Sequence, residues 1–419
     1  MKKRQFLKRL GQTALVSPFF GIPMESFAQE EILPYPDDDE AFWKRIRMDY
    51  ALKPDYINLE NGYYNFVPTP ILNKYMEHVR KVNYEGSYYM RTEQWDRKNA
   101  IASRLAKLIN CSANELIVTR NTTESLDMII GGFPWKEGDE AIFAKQDYGA
   151  MRIHFHQQSD RYGVVCKEVS LPNHPKSDEE IVALYESQIT PKTKLLMVCH
   201  MVNITGQILP VRKICDMAHA HGVEVMVDGA HAVGHIKVDI AELDCDYYGS
   251  SLHKWLSAPL GAGLLYVREP LIPKIWPLLA EHEDDATKIR RLNHTGTHPV
   301  HTDLTINDSM DYLEMINLER KEKRLRFIQR YWTDALRDVE NVVINTPVEP
   351  HRSCGIANVG IKTMKPQDLA KALLKEFNVW TVAIDHENVK GCRITPNVYT
   401  TTEELDHFIK AIKTLAKRA

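Results

Sequence analysis

The stretch 223-VEVMVDGAHAVGHIKVDIAELDCDYYGSSLHKWLSAPLGAGLLYVR-268 decides the fold. Its first run, VEVMV, is a short apolar strand pattern that ends on Asp228. A second run, CDYY, leads into Gly249-Ser250-Ser251-Leu252-His253-Lys254, and small residues then precede GLLYV, another strand pattern. An acid at one strand end and a lysine on the loop after the next is a site layout. In an α/β fold both converge outside the carboxyl ends of parallel strands. A lysine beside an aromatic residue and small residues is a candidate for covalent attachment to a carbonyl compound, given an environment that keeps it reactive.

Outward from this stretch the same alternation repeats. ELIVT is a strand pattern, and Arg120-Asn121-Thr122-Thr123-Glu124-Ser125 follows it and opens a helical run. A strand, polar turn and helix in that order present free backbone N–H groups to an anion, and Thr122 and Thr123 add hydroxyls; the plainer reading is a helix cap. EAIFA, VVCKEVSL and KTKLLMVCHMV are further strands, with helical runs SDEEIVALYESQI and PVRKICDMAHAHG between them. Asn203 stands just beyond the third. Strands alternating with helices of crossover length predict a largely parallel sheet covered on both faces.

The 419 residues suffice for more than one domain, and an apolar content of 44% is too high for a disordered chain. A formal charge of -3 gives no electrostatic case for nucleic acid or a membrane surface. The seven cysteines are scattered, without a CxxC, so no disulfide framework or cysteine metal site is expected. HxH at His154 and His156, with His231, His235 and His253, is a poor zinc candidate because a metal leaves Lys254 and the threonine turn without a role. No GxGxxG or GxxxxGKS phosphate loop occurs.

Residues 1–28 are expected to be an export signal. MKKRQFLKRLG is basic, TALVSPFFGIP is moderately apolar, and Ser26-Phe27-Ala28 is a small-x-small cleavage site. KRQFLK resembles a twin-arginine signal with Lys3-Arg4 in place of the arginine pair, which predicts a periplasmic protein beginning near Gln29; the alternative is an amphipathic tail on a cytoplasmic one. No later apolar run reaches the length of a membrane span. Residues 70–110 read as helical with one interruption. In 56-YINLENGYYNFVPTPIL-72, Tyr63, Tyr64 and Asn65 are candidates either to face a pocket or to pack a domain junction. Past 268, Thr295-Gly296-Thr297 is a polar turn before two helical runs, and the remainder alternates short strands with helices. Arg393 sits on a strand before a turn, with surface ion pairing and carboxylate binding both open to it.

NTTES, QDYGA, NITGQILPV, VDGAHAVG, SSLHKW, GTH and GCRITPNVYT together resemble the class V aminotransferase family of fold-type I pyridoxal-phosphate enzymes, over roughly residues 40–415. Within it the chain is most similar to isopenicillin N epimerase-like proteins. The resemblance implies a mainly parallel central sheet in a large cofactor-binding domain, 66–300. It also implies a smaller α+β domain, 301–419, and a segment 29–65 that joins the small domain or the junction. It implies pyridoxal phosphate held covalently by Lys254, with Asp228 on the pyridine nitrogen and Tyr148 stacked on the ring. His231 would lie on the other face or near the phenolic oxygen, which Asn203 would bond. Thr122, Thr123, Ser251 and His253 would hold the phosphate, and Thr297 would reach the phosphate of a neighbouring subunit in a homodimer. Arg393 would bind the α-carboxylate of an amino-acid substrate, with Tyr63 and Asn65 nearby, and Tyr64, Tyr89, Arg91 and His154 are further candidates for the substrate end. Epimerisation, transamination and β-elimination share their first steps, so these motifs leave the outcome open. Desulfurases of the family carry a nucleophilic cysteine on a loop before the arginine strand. Here VAIDHENVKGCRI has no such cysteine, and Cys392 and Cys354 are expected to be structural.

Overall fold

A computed structural model describes residues 39–279 and 285–418; residues 1–28, expected to be an export signal, lie outside them. Residues up to 45 form a unit of their own, of which the start of a helix, Asp39–Arg47, is described. Residues 46–419 form one compact unit that carries every feature below.

Strand β1 (Ile57–Asn58) stands before any other. The main sheet then takes β2 (Leu116–Thr119), β3 (Glu140–Ala144), β4 (Val165–Val169), β5 (Thr193–Cys199), β6 (Glu224–Asp228), β7 (Tyr247–Ser251) and β8 (Gly263–Val267). Their order is β2-β8-β7-β6-β5-β3-β4. All neighbours pair parallel except at β8, which runs against both β2 and β7. The expected mainly parallel α/β sheet is present. Its central strands read as continuous apolar runs because both faces are covered: Leu195, Leu196, Met197, Val198, Val225, Met226 and Val227 are all fully buried.

The register places the functional ends side by side. Cys199 of β5 is opposite Asp228 of β6, and Asp228 is opposite Gly249 of β7. The carboxyl ends of these strands therefore open onto one crevice, where the loops after β2 and β3 also arrive.

A second sheet is built from β9 (Val342–Ile344), β10 (Ala357–Ile361), β12 (Val382–His386) and β13 (Val389–Ile394), in the order β12-β13-β10-β9, all antiparallel. The short β11 (Val379–Trp380) turns away and pairs parallel with β1. The segment NVWTVAI is thus divided between two sheets.

The helical stretch 70–110 has two interruptions, not one, giving helices Thr69–Glu85, Ser87–Thr92 and Gln94–Leu108. Gly86, with φ 57°, makes the first break, because an L side chain disfavours that backbone conformation. Glu93 makes the second with no glycine or proline to announce it.

Candidate active site

The crevice is a cavity of about 290 Å³. Its walls include Tyr63, Thr122, Thr123, Tyr148, Asn203, Asp228, His231, Ser251, His253, Lys254 and Arg393. Of the residues singled out in the sequence for cofactor or substrate, Asn65, Thr297, Tyr64, Tyr89, Arg91 and His154 lie off its walls.

At one end the helix Thr122–Gly132 begins directly after β2, capped by Asn121, whose side chain accepts from Glu124 N–H at 2.9 Å. The Ser251 hydroxyl, at the end of β7, lies 2.9 Å from Thr122 N and 2.7 Å from Thr122 Oγ1. A helix N-terminus with two hydroxyl groups drawn together is an anion cradle built from two separate segments. His253 adds an imidazole whose Nδ1 donates to Ala262 O at 3.2 Å; burial pushes its pKa down to about 4.

In the middle, Asp228 is buried at the tip of β6, with Oδ1 accepting from Ala230 N–H at 2.9 Å. Burial raises its pKa, while that N–H and nearby Lys254 pull the other way. Such a carboxylate is receptive to a cationic N–H donor.

Lys254 enters from the loop after β7. Burial pushes its pKa down to about 8, against the pull of Asp228. Its Nζ lies 3.1 Å from His231 Nε2. On the other side of that ring the Trp255 indole Nε1–H donates to Nδ1 at 3.1 Å. An indole is a donor only, so His231 Nδ1 carries a lone pair. Burial, then the charge on Lys254, hold His231 well below the ordinary imidazole range, so its one proton is on Nε2 and points at Lys254. That N–H favours the neutral, proton-accepting form of the amine, in the same direction as burial.

Two residues that the sequence did not mark for this purpose fix the loop. Asn65, expected at the substrate, is fully buried, and its Nδ2 donates to Lys254 O at 2.5 Å while Asn397 Nδ2 bonds its Oδ1 at 3.1 Å. It holds the lysine's backbone and does not face the cavity. Lys321, from the helix Leu318–Asp334, donates to Trp255 O at 2.5 Å. Burial pushes its pKa down to about 7. An unfolded lysine keeps its proton up to about pH 10.4. Between pH 7 and 10 the unfolded chain therefore binds more protons at this position, and folding gains stability as pH rises. Replacing Lys321 by Met should stabilise the protein most below pH 7, and this advantage should shrink by about 1.4 kcal/mol per unit across that window. Denaturant melts of both proteins at three pH values measure it. A pH-independent difference would sink the assignment.

Arg393, on β13, forms the far wall and is mostly buried. The remaining candidates for the substrate end divide. Tyr63 stands at the cavity mouth, largely exposed, whereas Tyr89 is buried in the core. His154 bonds Asp127 at 2.5 Å and lines a different cleft. Neither Tyr64 nor Arg91 lines the cavity. Thr297 is exposed on the loop before the helix Val300–Ile316.

A crevice at the carboxyl ends of a mainly parallel sheet, with a buried acid, a neutral-leaning lysine and an anion cradle, defines a fold-type I cofactor enzyme. The model of the aminotransferase class-V family matches residues 67–408, and the chain belongs to that family. It is 25% identical to the isopenicillin N epimerase of Streptomyces clavuligerus, over 90% of this chain and 98% of the relative. It is 26% identical to a probable cysteine desulfurase of Halalkalibacterium halodurans, over 73% of this chain and 78% of the relative. Among solved structures, an apo cysteine desulfurase from Thermococcus onnurineus NA1 shares the fold with a TM-score of 0.79 at 21% identity, covering 89% of this chain and 98% of that one. A cystine C-S lyase complexed with cysteine persulfide does so with a TM-score of 0.78 at 19% identity, covering 86% and 97%.

The cofactor of this class V enzyme is pyridoxal phosphate, and the residues present fit it. Asp228 suits a pyridine N–H, the Thr122, Thr123 and Ser251 cradle suits a phosphate, and Lys254 suits the aldehyde carbon.

Proposed function

We propose that the protein inverts or exchanges the configuration at Cα of an amino acid, or of a small peptide bearing a free α-amino acid group. Transamination with a keto-acid acceptor is the second reading. The observation that carries this is the Lys254–His231–Trp255 chain, which keeps a proton-accepting amine inside the cavity. Bound pyridoxal phosphate supplies the electron sink for charge developing at Cα. Arg393 holds the carboxylate, Lys254 moves the Cα proton, and Asp228 keeps the pyridine nitrogen protonated.

Two features stand against desulfuration. His386 and Val389 are paired across the β12–β13 hairpin, so only Glu387 and Asn388 are left for its turn, too few for a cysteine-bearing loop. Cys354 and Cys392 are buried, and burial pushes both thiols up to about 12. Cys199 lines the cavity, but it too is buried with its pKa well raised, and a thiol in that state is a poor nucleophile.

Incubating the holoenzyme with a panel of amino acids in deuterium oxide tests the reading. Cα exchange with inversion, and no pyridoxamine phosphate, is expected of an epimerase. A keto acid with the pyridoxamine form, reversed by a second keto acid, would instead establish the aminotransferase. Sulfide release from cysteine would overturn both.

We also propose a homodimer in which Thr297 reaches the cofactor phosphate of the second copy. Sedimentation velocity should give twice the chain mass, and a fully active monomer would refute it. Export to the periplasm through residues 1–28 is proposed on their sequence; fractionation that finds only the unprocessed chain in the cytoplasm would exclude it.

A further inference from the structure

Arg393 does not stand alone. Its Nη2 lies 2.6 Å from Glu60 Oε1 and its Nε 3.2 Å from Glu60 Oε2, so both carboxylate oxygens grip one edge of the guanidinium. The two side chains are only 9% and 8% exposed. Glu60 is itself braced, since Oε1 also accepts from Tyr63 N–H at 2.9 Å.

The placement follows from strand pairing. β1 lies parallel to β11, and the chain leaving it runs beside the end of β13. Leu59 O accepts from Thr395 N at 2.8 Å, and Asn61 Nδ2 donates to Thr395 O at 2.7 Å. Glu60, between them, is thereby set against Arg393. Gly62 completes the bed: a Cβ there would come within 2.6 to 2.8 Å of guanidinium atoms, so a side chain at this position would displace the guanidinium.

The cavity decides which side of the arginine Glu60 occupies. Gly62, Tyr63, Asn203 and Arg393 line it and Glu60 does not. Glu60 is therefore behind the guanidinium and does not plug the site. A guanidinium has five N–H donors. Glu60 takes two, and Asn203 O takes a third, from Nη1 at 3.3 Å. One N–H on Nη1 and one on Nη2 remain, which is the pair that a planar carboxylate accepts.

We propose that Glu60 is a positioning residue for the substrate carboxylate, fixing the plane of Arg393 from behind and leaving one two-donor edge for the ligand. This rests on the reading of Arg393 as the carboxylate site and deepens it. Because the guanidinium charge is already countered, the site selects a carboxylate by geometry more than by charge. Glu60 also helps keep the Lys254 pKa up, whereas Arg393 pushes it down.

Glycine and methylamine differ by the carboxylate alone, so the ratio of their affinities isolates its recognition. Each is titrated against the visible absorbance of pyridoxal phosphate bound to wild type, Glu60→Gln, Glu60→Asp and Arg393→Gln. The preference for glycine should fall at least about tenfold in Glu60→Gln. Glu60→Asp, with the charge restored but a shorter reach, should fall between. The pH midpoint of the unliganded absorbance should also drop in Glu60→Gln and recover in Glu60→Asp. If glycine and methylamine weaken equally, or neither changes, Glu60 is structural only and the proposal fails. If Glu60→Gln cannot be loaded with cofactor, Glu60→Asp decides by the same ratio. A preference that survives Arg393→Gln while falling in Glu60→Gln would overturn the carboxylate reading of Arg393 itself.

Discussion

Lys254→Ala is expected to lower Cα-proton exchange by on the order of 10³-fold or more, with the fold intact. The side chain lines a cavity, and its loop is held by backbone bonds from Asn65 and Lys321 that alanine leaves in place. The loss should be chemical for that reason, not structural. Borohydride should fix cofactor to the wild-type chain at Lys254 and leave the variant unmodified. Attachment at another lysine would defeat the assignment. His231→Gln gives a graded comparison, since it keeps a donor toward Lys254 but loses the ring that Trp255 orients. Its deficit should be smaller than that of Lys254→Ala.

Asp228→Asn is expected to slow the same exchange by about 10²- to 10³-fold, the size of effect seen when one preorganised electrostatic partner is removed. The substitution keeps shape and can keep the bond from Ala230 N–H to Oδ1, so the thermal midpoint should change little. What it removes is the negative charge that holds a proton on the pyridine nitrogen. The same charge raises the Lys254 pKa, so that group should titrate lower in the variant. An undiminished exchange rate in Asp228→Asn would show that the acid is not the partner of the ring.

The outcome at Cα depends on what stands opposite Lys254. Tyr63 and Tyr148 are the exposed aromatic side chains on the cavity wall, at its solvent side. Inversion, exchange and transamination are therefore separated by the deuterium experiment and not by a single residue on the wall.

The alternation of β2 through β7 with helices is legible in the sequence; the central strands β5 and β6 are apolar along their length because both faces are covered, while the edge strand β4 keeps Lys167 and Glu168. The sequence by itself also determined the polar ends of those strands. Thr122, Asn203, Asp228, Ser251 and Lys254 are legible locally because each sits where an apolar run gives way to a loop, and parallel topology brings such ends together. Only the tertiary structure decided the direction of Asn65, since a polar residue beside a pocket bonds substrate or backbone equally well until its neighbours are known. Only the structure supplied Glu60 and Lys321. Glu60 meets Arg393 across 333 residues, through a two-strand pairing of β1 with β11 that leaves no periodic signal in either segment. Lys321 lies in a charged amphipathic run, where local pattern assigns a lysine to solvent; tertiary burial against Trp255 O overrides that assignment.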